Sequence, residues 1–307
     1  MSQSDLKKMR ADINRRKLIN NIFAIIGVVV ITTATLILLT LTLKMAIQGA
    51  ERITPEFFTS FPSRRAARAG ILSAWVGTLL VMLVTAFAAI PLGVASGVYL
   101  EEYAKKNWLA DLIEINVTNL AGVPSIIYGL LALGLFVYKL RLGQSILSAG
   151  LTLALLILPV VIVTTREAIR AIPNSLREAS SALGASKWQT TRNVILPCSF
   201  GSILTGVIIG LSRAIGQTAP IITIGALTFI AFLPKSPIRD EFPFVSFEWL
   251  QAPFTVMPIQ MFNWVSRPQA AFEINAAAAG TVLIFMTLGI NAIAIFLRYQ
   301  LRKDIKW

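Results

Sequence analysis

The sequence predicts an all-α integral membrane protein that crosses the bilayer six times. Hydrophobic residues make up 55% of the 307-residue chain and charged residues only 14%, and the mean hydropathy is +0.71. Soluble domains carry about 25% charged residues, so this composition is typical of a membrane protein. Long apolar stretches are separated by short basic segments, and about 20 apolar residues suffice to cross a bilayer.

Six apolar stretches mark the expected spans. They are Leu18–Leu43, Ala69–Leu100, Ile115–Tyr138, Leu142–Thr165, Asn193–Pro234 and Ile274–Leu297. The second stretch exceeds one straight span, so part of it is expected to lie along the outer surface, and Pro91 and Gly93 are candidates for a kink. The fifth stretch is interrupted by a single charge, Arg213. The segments Gln48–Arg68 and Lys235–Ala271 are expected to be soluble outer loops.

The first span is expected to be an uncleaved anchor with its N-terminus in the cytoplasm. A secretory signal has an apolar core of about 7–15 residues and a small-residue cleavage site, and Leu18–Leu43 fits neither condition. With both termini inside, the cytoplasmic segments hold about twice as many Lys and Arg residues as the outer segments. This excess follows the positive-inside rule.

Several functions are excluded by residues that the chain lacks. It has no His and one Cys, Cys198, which argues against a disulfide framework, a zinc site and a His- or Cys-based nucleophile. The nucleotide-binding loop Gly-x-x-x-x-Gly-Lys-Ser/Thr is absent from the sequence, so this chain is expected to bind no cofactor. If ATP and magnesium are used, partner subunits are expected to bind them. The formal net charge of +13 is spread over membrane flanks, which argues against a nucleic-acid partner.

The segment SLREASSALGASKWQTTRNVILP, residues 175–197, predicts a helix, a sharp turn and a second helix. Ser175 with Glu178, and Ser186 with Gln189, each match a capping box. Gly184 lies where the first helix would end in a left-handed residue.

This segment has three interpretations. Pro173 precedes it and Pro197 is expected to end its second helix, while Leu176, Ala179 and Leu183 form one apolar face. The segment is a simple linker, a DNA-reading helix-turn-helix, or a piece that docks into a groove of a soluble partner. Attachment to the bilayer at both ends argues against DNA binding.

The same segment resembles the EAA loop of ABC importer permeases, E-A-A-x3-G-x9-I-x-L-P. The matching residues are Glu178-Ala179-Ser180, Gly184 and Val194-x-Leu196-Pro197, with Ser and Val replacing Ala and Ile. The resemblance implies a cytoplasmic coupling helix that sits in a cleft of an ATPase subunit. The implied coupling residues are Glu178, Ala179, Leu183, Gly184, Ala185 and Trp188.

Four further stretches resemble the phosphate ABC importer permeases of the PstA type. They are GVYLEEYA (97–104), GVPSIIYGLLALGLF (122–136), RAIGQTAP (213–220) and TVMPIQMFNWVSRP (255–268). The resemblance covers roughly residues 70–300 and implies the type I importer permease fold. It also implies three kinds of partner: a PstC-type sister permease as heterodimer, a PstB-type ATPase dimer and a PstS-type external phosphate-binding protein.

This resemblance defines the expected organisation of the chain. A cytoplasmic tail (1–17) and an anchor (18–47) precede a permease domain (70–300), and a second cytoplasmic tail (301–307) ends the chain. The permease domain contains the coupling loop (171–197) and the outer loop (235–271).

Arg213 is the foremost candidate for the substrate path. An Arg at the centre of a membrane helix costs about 2.5–3.5 kcal/mol, so such residues usually face a polar path, and the planar guanidinium suits a phosphate oxyanion. Gln217 follows four residues later, which would place it on the same helix face. Alternatively, Arg213 snorkels to an interface or pairs with a carboxylate of another subunit.

Other path candidates carry equally plausible structural interpretations. The full set is Arg213, Gln217, Thr218, Ser125, Tyr128 and Arg170. Ser125 and Tyr128 are also consistent with ordinary packing between helices, and Arg166 and Arg170 with positive-inside anchors. The resembling family usually has Glu where this chain has Gln217, which leaves an Arg–Glu pair in doubt.

The expected function is therefore import of inorganic phosphate across the cytoplasmic membrane by alternating access, driven by a separate ATPase. The alternatives are a permease for phosphonate, molybdate or sulfate, and a stand-alone secondary transporter. Stand-alone transporters usually show internal repeats and intramembrane ionisable pairs, and neither is evident in this sequence. A signalling role that reports phosphate supply is compatible with transport.

Overall fold

The protein is a bundle of apolar helices. The computed structural model describes residues 3–105, 107–236 and 246–302. The described residues form twelve α-helices and no β-strand, which confirms the all-α prediction. Five long helical stretches are apolar enough to cross a membrane: Ile13–Arg52, Leu72–Tyr103, Ile146–Arg170, Lys187–Ile215 and Ala271–Gln300. A sixth crossing results if two shorter helices that meet at 107° form one broken span.

The bundle is organised around helix α6, Ile146–Arg170, which packs between α3, Leu72–Val98, and α9, Leu196–Ile215. Small residues allow this close approach. A Cβ atom at Gly93 of α3 would lie 2.6 Å from Val161 Cγ1 of α6, and one at Gly97 would lie 2.6 Å from Thr165 Cβ. Gly93 therefore serves helix packing.

The second apolar stretch is one continuous helix, so the expectation of a surface-lying part is wrong. Helix α3 starts at Leu72 and contains Pro91, and only 69–71 precede it. Ala69 and Ile71 are fully buried in a cluster with Phe57 and Trp264. The stretch is longer than a span because protein, and not the bilayer alone, covers its first residues.

The third apolar stretch is broken, which corrects the prediction of a single helix over Ile115–Tyr138. Helix α4, Trp108–Leu120, and helix α5, Ser125–Ala132, meet at 107°, and a π-helical segment extends α5 to Lys139. Pro124 at the break has no N–H to donate. The Tyr128 hydroxyl crosses the break and donates a hydrogen bond to the Leu120 carbonyl oxygen at 2.8 Å.

The fifth apolar stretch is also shorter than predicted, because its helix ends at Ile215. After a turn, the chain forms the short helix α10, Ala219–Ile224, against α5. A Cβ atom at Gly129 of α5 would lie 2.7 Å from Pro220 Cα, so the two helices touch through backbone.

The two predicted outer loops contain short helices that pack on the bundle, and their position outside the membrane stays a prediction. Helix α2, Pro55–Thr59, buries Phe57, and helix α11, Met257–Val265, buries Trp264, with ring centroids 6.0 Å apart. Residues 237–245 of the second loop lie outside the described residues. Large aromatic side chains stay buried because the N-terminal ends of α3 and α12, Ala271–Arg302, form a pocket for them.

The two ends of the bundle differ in the elements that they carry. The α7 end carries the polar element between α6 and α9, with helices α7, Asn174–Ala182, and α8, Lys187–Thr190. The α11 end carries α2, α11 and the segment before α6, where the Ile146 N–H donates to the Ala252 carbonyl oxygen at 3.1 Å. The N-terminal helix α1, Gln3–Gly49, packs on α12 near this end.

Candidate functional site

The first predicted cap of the polar element is wrong. Helix α7 starts at Asn174 with Pro173 in the N-cap position, and no side chain caps it. Pro173 has φ −57°, which already suits a helix start. Ser175 therefore lies within the first turn, and Glu178 is exposed and makes no capping bond.

The turn at Gly184 is confirmed and is a Schellman motif. Gly184 has φ +81°, the Ala185 N–H donates to the Ser180 carbonyl oxygen at 3.1 Å, and the Gly184 N–H donates to the Ser181 carbonyl oxygen at 2.9 Å. These two bonds satisfy carbonyl groups that a helix end otherwise leaves free. Apart from the adjoining backbone, no atom of the described residues lies within 4 Å of a Cβ built on Gly184, so its φ alone demands glycine.

The second predicted cap is confirmed in both of its bonds. The Gln189 N–H donates to Ser186 Oγ at 3.3 Å, and the Ser186 N–H donates to Gln189 Oε1 at 2.8 Å. The departure at Ser180 also has a structural consequence, since Ser180 Oγ and Thr190 Oγ1 share a hydrogen bond of 2.8 Å between the two helices.

The prediction that Pro197 ends the second helix is wrong. Helix α8 continues through a π-helical turn, Thr191–Ile195, into α9. The Leu196 N–H donates to the Thr191 carbonyl oxygen, five residues earlier. Pro197 then falls in the first turn of α9, where a missing N–H is tolerated.

The predicted apolar face of α7 divides between the bundle and the surroundings. Leu176 packs against a cluster that contains Ile169, Ile172 and Ile195. Leu183 at the turn is 89% exposed, and Ala179 is exposed as well. Trp188 of α8 is 57% exposed, while Ala185 is half-buried. Large apolar side chains at an exposed turn are typical of an interaction site.

Arg213 lies in the last turn of α9 and is exposed. It makes no ion pair or hydrogen bond within the part of the chain that the structure describes. Its guanidinium is close enough to the buried Tyr128 to interact with it electrostatically. The fold therefore brings Arg213 of α9 near Tyr128 of α5, and the half-buried Ser125 lies one turn before Tyr128 on the same helix.

Gln217 does not share a helix face with Arg213, which corrects the spacing argument. Helix α9 ends two residues before Gln217, and Gly216 turns the chain. The Gln217 N–H donates to the Ala214 carbonyl oxygen at 3.1 Å, and its half-buried side chain lines a small cavity beside Thr78 and Leu153.

Thr218 opens helix α10 and faces a groove that sequence reasoning missed. The groove has a volume of about 530 Å³ and runs between Gly216–Thr218 and helix α11. Its α11 wall includes Phe262 and Val265, which are 54% and 59% exposed. Helix α11 falls within the segment Lys235–Ala271, which was predicted to be an outer loop. The groove thus joins two motifs that are distant in the sequence.

Arg170 lies at the α7 end, away from this groove, among carboxylates. Its Nε and Nη2 atoms donate to Glu101 Oε1 and Oε2 at 3.1 and 3.0 Å. Arg166 pairs with Glu101 and Glu114. Sequence patterns do not place these acidic residues beside the arginines, because the π-helical turn Tyr99–Tyr103 positions Glu101 and the packing of α4 positions Glu114. A role of Arg170 in the substrate path stays a prediction.

Comparisons with known proteins agree with this architecture. Residues 89–307 match the family of binding-protein-dependent transport system inner membrane components. The chain is 32% identical over 242 residues to the phosphate transport system permease protein PstA of Yersinia pestis, covering 77% of this chain and 75% of that protein. It is 31% identical over 264 residues to the probable ABC transporter permease protein YqgI of Bacillus subtilis, covering 84% and 88%.

Two solved structures share the fold. One is an inward-facing MetNI methionine ABC transporter, with a TM-score of 0.57, 18% identity, and coverage of 74% of this chain and 93% of that chain. The other is a bacterial alginate ABC transporter in complex with an alginate-bound periplasmic protein, with a TM-score of 0.61, 15% identity, and coverage of 87% and 90%.

Proposed function

Since this chain belongs to the family of binding-protein-dependent transport system inner membrane components, we propose that it is the phosphate permease of an ATP-driven importer. Family membership makes it a multi-pass inner-membrane subunit that carries out no covalent chemistry. The substrate, the partner subunits and the orientation are the proposed parts.

The guanidinium of Arg213, which is exposed and has no ion pair or hydrogen bond among the described residues, carries the proposal of an anionic substrate. A charge in an apolar helix costs free energy, so it is retained where it faces water or another subunit. Arg213 borders the turn that forms one wall of the α11 groove, and the fork of five N–H donors matches a tetrahedral oxyanion. Relatives named as phosphate permeases make phosphate the first choice among oxyanions.

The partners follow from the exposed groups at the α7 end. Leu183 and Trp188 present apolar surface on an element stiffened by a capping box and a Schellman motif. This surface fits a cleft of an ATPase dimer of the PstB type, which would hold ATP and magnesium. The α7 end and both termini are then cytoplasmic, and a PstC-type sister permease and a PstS-type external binding protein complete the assembly.

The proposed mechanism is alternating access. Closure of the ATPase dimer moves helices α7 and α8, and this movement rocks the bundle between inward- and outward-open states. Phosphate released by the external protein enters between the two permeases and passes Arg213. The role of this chain is to bind, orient and release the anion.

Phosphonate, molybdate or sulfate is the second candidate, because a guanidinium accepts any tetrahedral oxyanion. The test is uptake of labelled phosphate into proteoliposomes that contain the complete complex, with each competing oxyanion added in excess. Competition by unlabelled phosphate alone supports the proposal. Uptake of sulfate or molybdate in preference to phosphate would reassign the substrate. Uptake without any ATPase would reject the importer class.

A further inference from the structure

A network of charged side chains joins helix α7 to three neighbouring elements. Arg177 is the member on α7. Its Nη2 and Nε atoms donate to Glu102 Oε1 at 2.8 and 3.1 Å. The Glu102 side chain is 9% exposed and that of Arg177 is 23% exposed. This pair is therefore shielded from solvent far more than an ordinary surface ion pair. An exposed ion pair contributes little to the free energy of folding.

Arg177 also binds the end of helix α6. Its Nη1 atom donates to the Ile172 carbonyl oxygen at 2.8 Å, and Nη2 donates to the Ile169 carbonyl oxygen at 3.1 Å. The last carbonyl groups of a helix have no partner within the helix. One guanidinium thus adds a second donor to the Ile169 carbonyl oxygen, binds the Ile172 carbonyl just beyond α6 and holds Glu102 at the same time.

The second half of the network connects α6 with α4. Arg166 Nη2 lies 2.8 Å from Glu114 Oε2 of α4, and Arg170 is bound by both carboxylate oxygens of Glu101. Arg166 is 8% exposed. Glu101 and Glu102 are adjacent in the chain, yet one binds α6 and the other binds α7.

The two glutamates belong to the π-helical turn Tyr99–Tyr103 that ends α3. This turn closes with the Ala104 N–H on the Tyr99 carbonyl oxygen at 2.8 Å. π-Helical turns are rare and occur frequently at functional sites. Here the turn is where the end of α3 meets α6 and α7, and any displacement of α7 acts directly on Glu102.

We infer that the Arg177–Glu102 pair transmits movement of helices α7 and α8 to the end of α3. Glu101 and Glu114, through their ion pairs with arginines of α6, make α6 and α4 move together with the end of α3. Arg177 and Glu102 are positioning residues in this assignment, since neither touches substrate or nucleotide. The inference rests on the proposed ATP-driven transport. It adds a path by which the force applied to α7 reaches the membrane helices.

The principal test uses charge reversal and exchange in the complete complex. Arg177→Glu and Glu102→Arg are each expected to lower the number of phosphate ions imported per ATP by about fivefold or more, while the subunits still co-purify. The exchange variant, which carries both changes, is expected to recover part of that ratio, because it restores the ion pair but a carboxylate at position 177 cannot donate to the Ile172 and Ile169 carbonyl oxygens. Asp111→Arg is the matched control, because Asp111 is an exposed acid of α4 outside the network. Single variants with an unchanged ratio would overturn the inference.

A second measurement separates this inference from the choice of substrate. Spin labels at positions 99 and 181, in a Cys198→Ser background, report the distance between the end of α3 and α7, both exposed sites. With Arg177 intact, the distance is expected to be the same in the nucleotide-free and the ATP-trapped complex. In Arg177→Glu, the distance is expected to differ between these two states. If the distance changes by the same amount in the complex with Arg177 intact, α7 moves independently of α3, whatever anion is transported.

Discussion

Two interruptions of the membrane helices differ in how their polar groups are satisfied. The element between α6 and α9 is bonded to itself and to its neighbours through a capping box, a Schellman motif and the ion pairs of Arg177. The turn after α9 leaves Arg213 exposed, with no ion pair or hydrogen bond among the described residues. One interruption is stiffened and the other keeps a charge available.

This difference separates the arginines that bind carboxylates of this chain from the arginine that is available to bind an anion or another subunit. Arg166, Arg170 and Arg177 are neutralised by carboxylates of other elements, so their removal leaves partly buried glutamates without their partners. Within the described ranges, Arg213 has no carboxylate partner that its removal would leave unpaired. Variants at the α7 end are therefore expected to change coupling and stability, whereas variants at Arg213 are expected to change transport alone.

The largest effect is expected from Arg213→Gln, which removes the charge and keeps a polar side chain. Uptake of labelled phosphate is expected to fall by about 10- to 100-fold, because charge-assisted hydrogen bonds to the anion are lost. Thermal stability and co-purification of the partners are expected to stay unchanged. Arg213→Lys, which keeps the charge and loses the fork, should fall between the two. Normal uptake by Arg213→Gln would leave Arg213 a packing role only.

Gly184→Val tests the stiffness of the α7 element. A β-branched residue at φ +81° is strained by about 1–2 kcal/mol, and the space around it is open, so the backbone must change. Phosphate imported per ATP is expected to fall by about tenfold, the factor that 1.4 kcal/mol represents.

Gly143→Val is the matched control for Gly184→Val. Gly143 has φ +71° and equally open surroundings, but it lies in the segment before α6, at the α11 end. It is expected to lose similar stability and to keep normal coupling. Equal uncoupling by both variants would show that strain anywhere in the bundle, and not the shape of the α7 turn, controls transport.

Leu183→Asp and Trp188→Ala test the docking surface. Each is expected to weaken binding of the ATPase by about fivefold, because a large exposed apolar contact is lost from an interface. Melting of the isolated permease should not change, since both side chains are exposed. Leu176→Ala is the contrast: this half-buried residue should lower the melting temperature and leave ATPase affinity nearly intact. The affinity is measured in detergent by surface plasmon resonance.

The smallest effect separates two serines that look alike in the sequence. Ser186→Ala removes a confirmed cap and is expected to destabilise the permease by about 1 kcal/mol. Ser175→Ala is expected to have no measurable effect, because Ser175 caps nothing. Thermal unfolding of the two variants in the same detergent provides the comparison. A larger loss in Ser175→Ala would contradict the helix start at Asn174.

Much of the fold was predictable because it depends on local properties of the chain. Apolar length predicted the membrane helices, and the Ser186–Gln189 spacing and Gly184 predicted a cap and a turn that the structure contains. The Ser175 cap failed because Pro173 starts the helix earlier. Pro197 failed as a stop because the π-helical turn before it accommodates a residue without an N–H.

The candidate site was predictable in its leading residue and not in its surroundings. A lone Arg in an apolar stretch is visible in any sequence, because its free-energy cost is a property of that side chain. The groove against α11 and the burial of Trp264 depend on residues far apart in the chain. A nine-residue helix carries no signal that distinguishes it from a loop.

Composition and apolar length alone were enough to make this chain a multi-span membrane protein with a polar, basic element between two spans. Those properties depend on the transfer of each residue between water and lipid, which needs no knowledge of its neighbours. The pairing of Glu102 with Arg177, the break at Pro124 and the isolation of Arg213 arose from packing. Whether a charge is neutralised depends on which distant side chain lies a few ångströms away, and only the folded arrangement of the helices sets that distance.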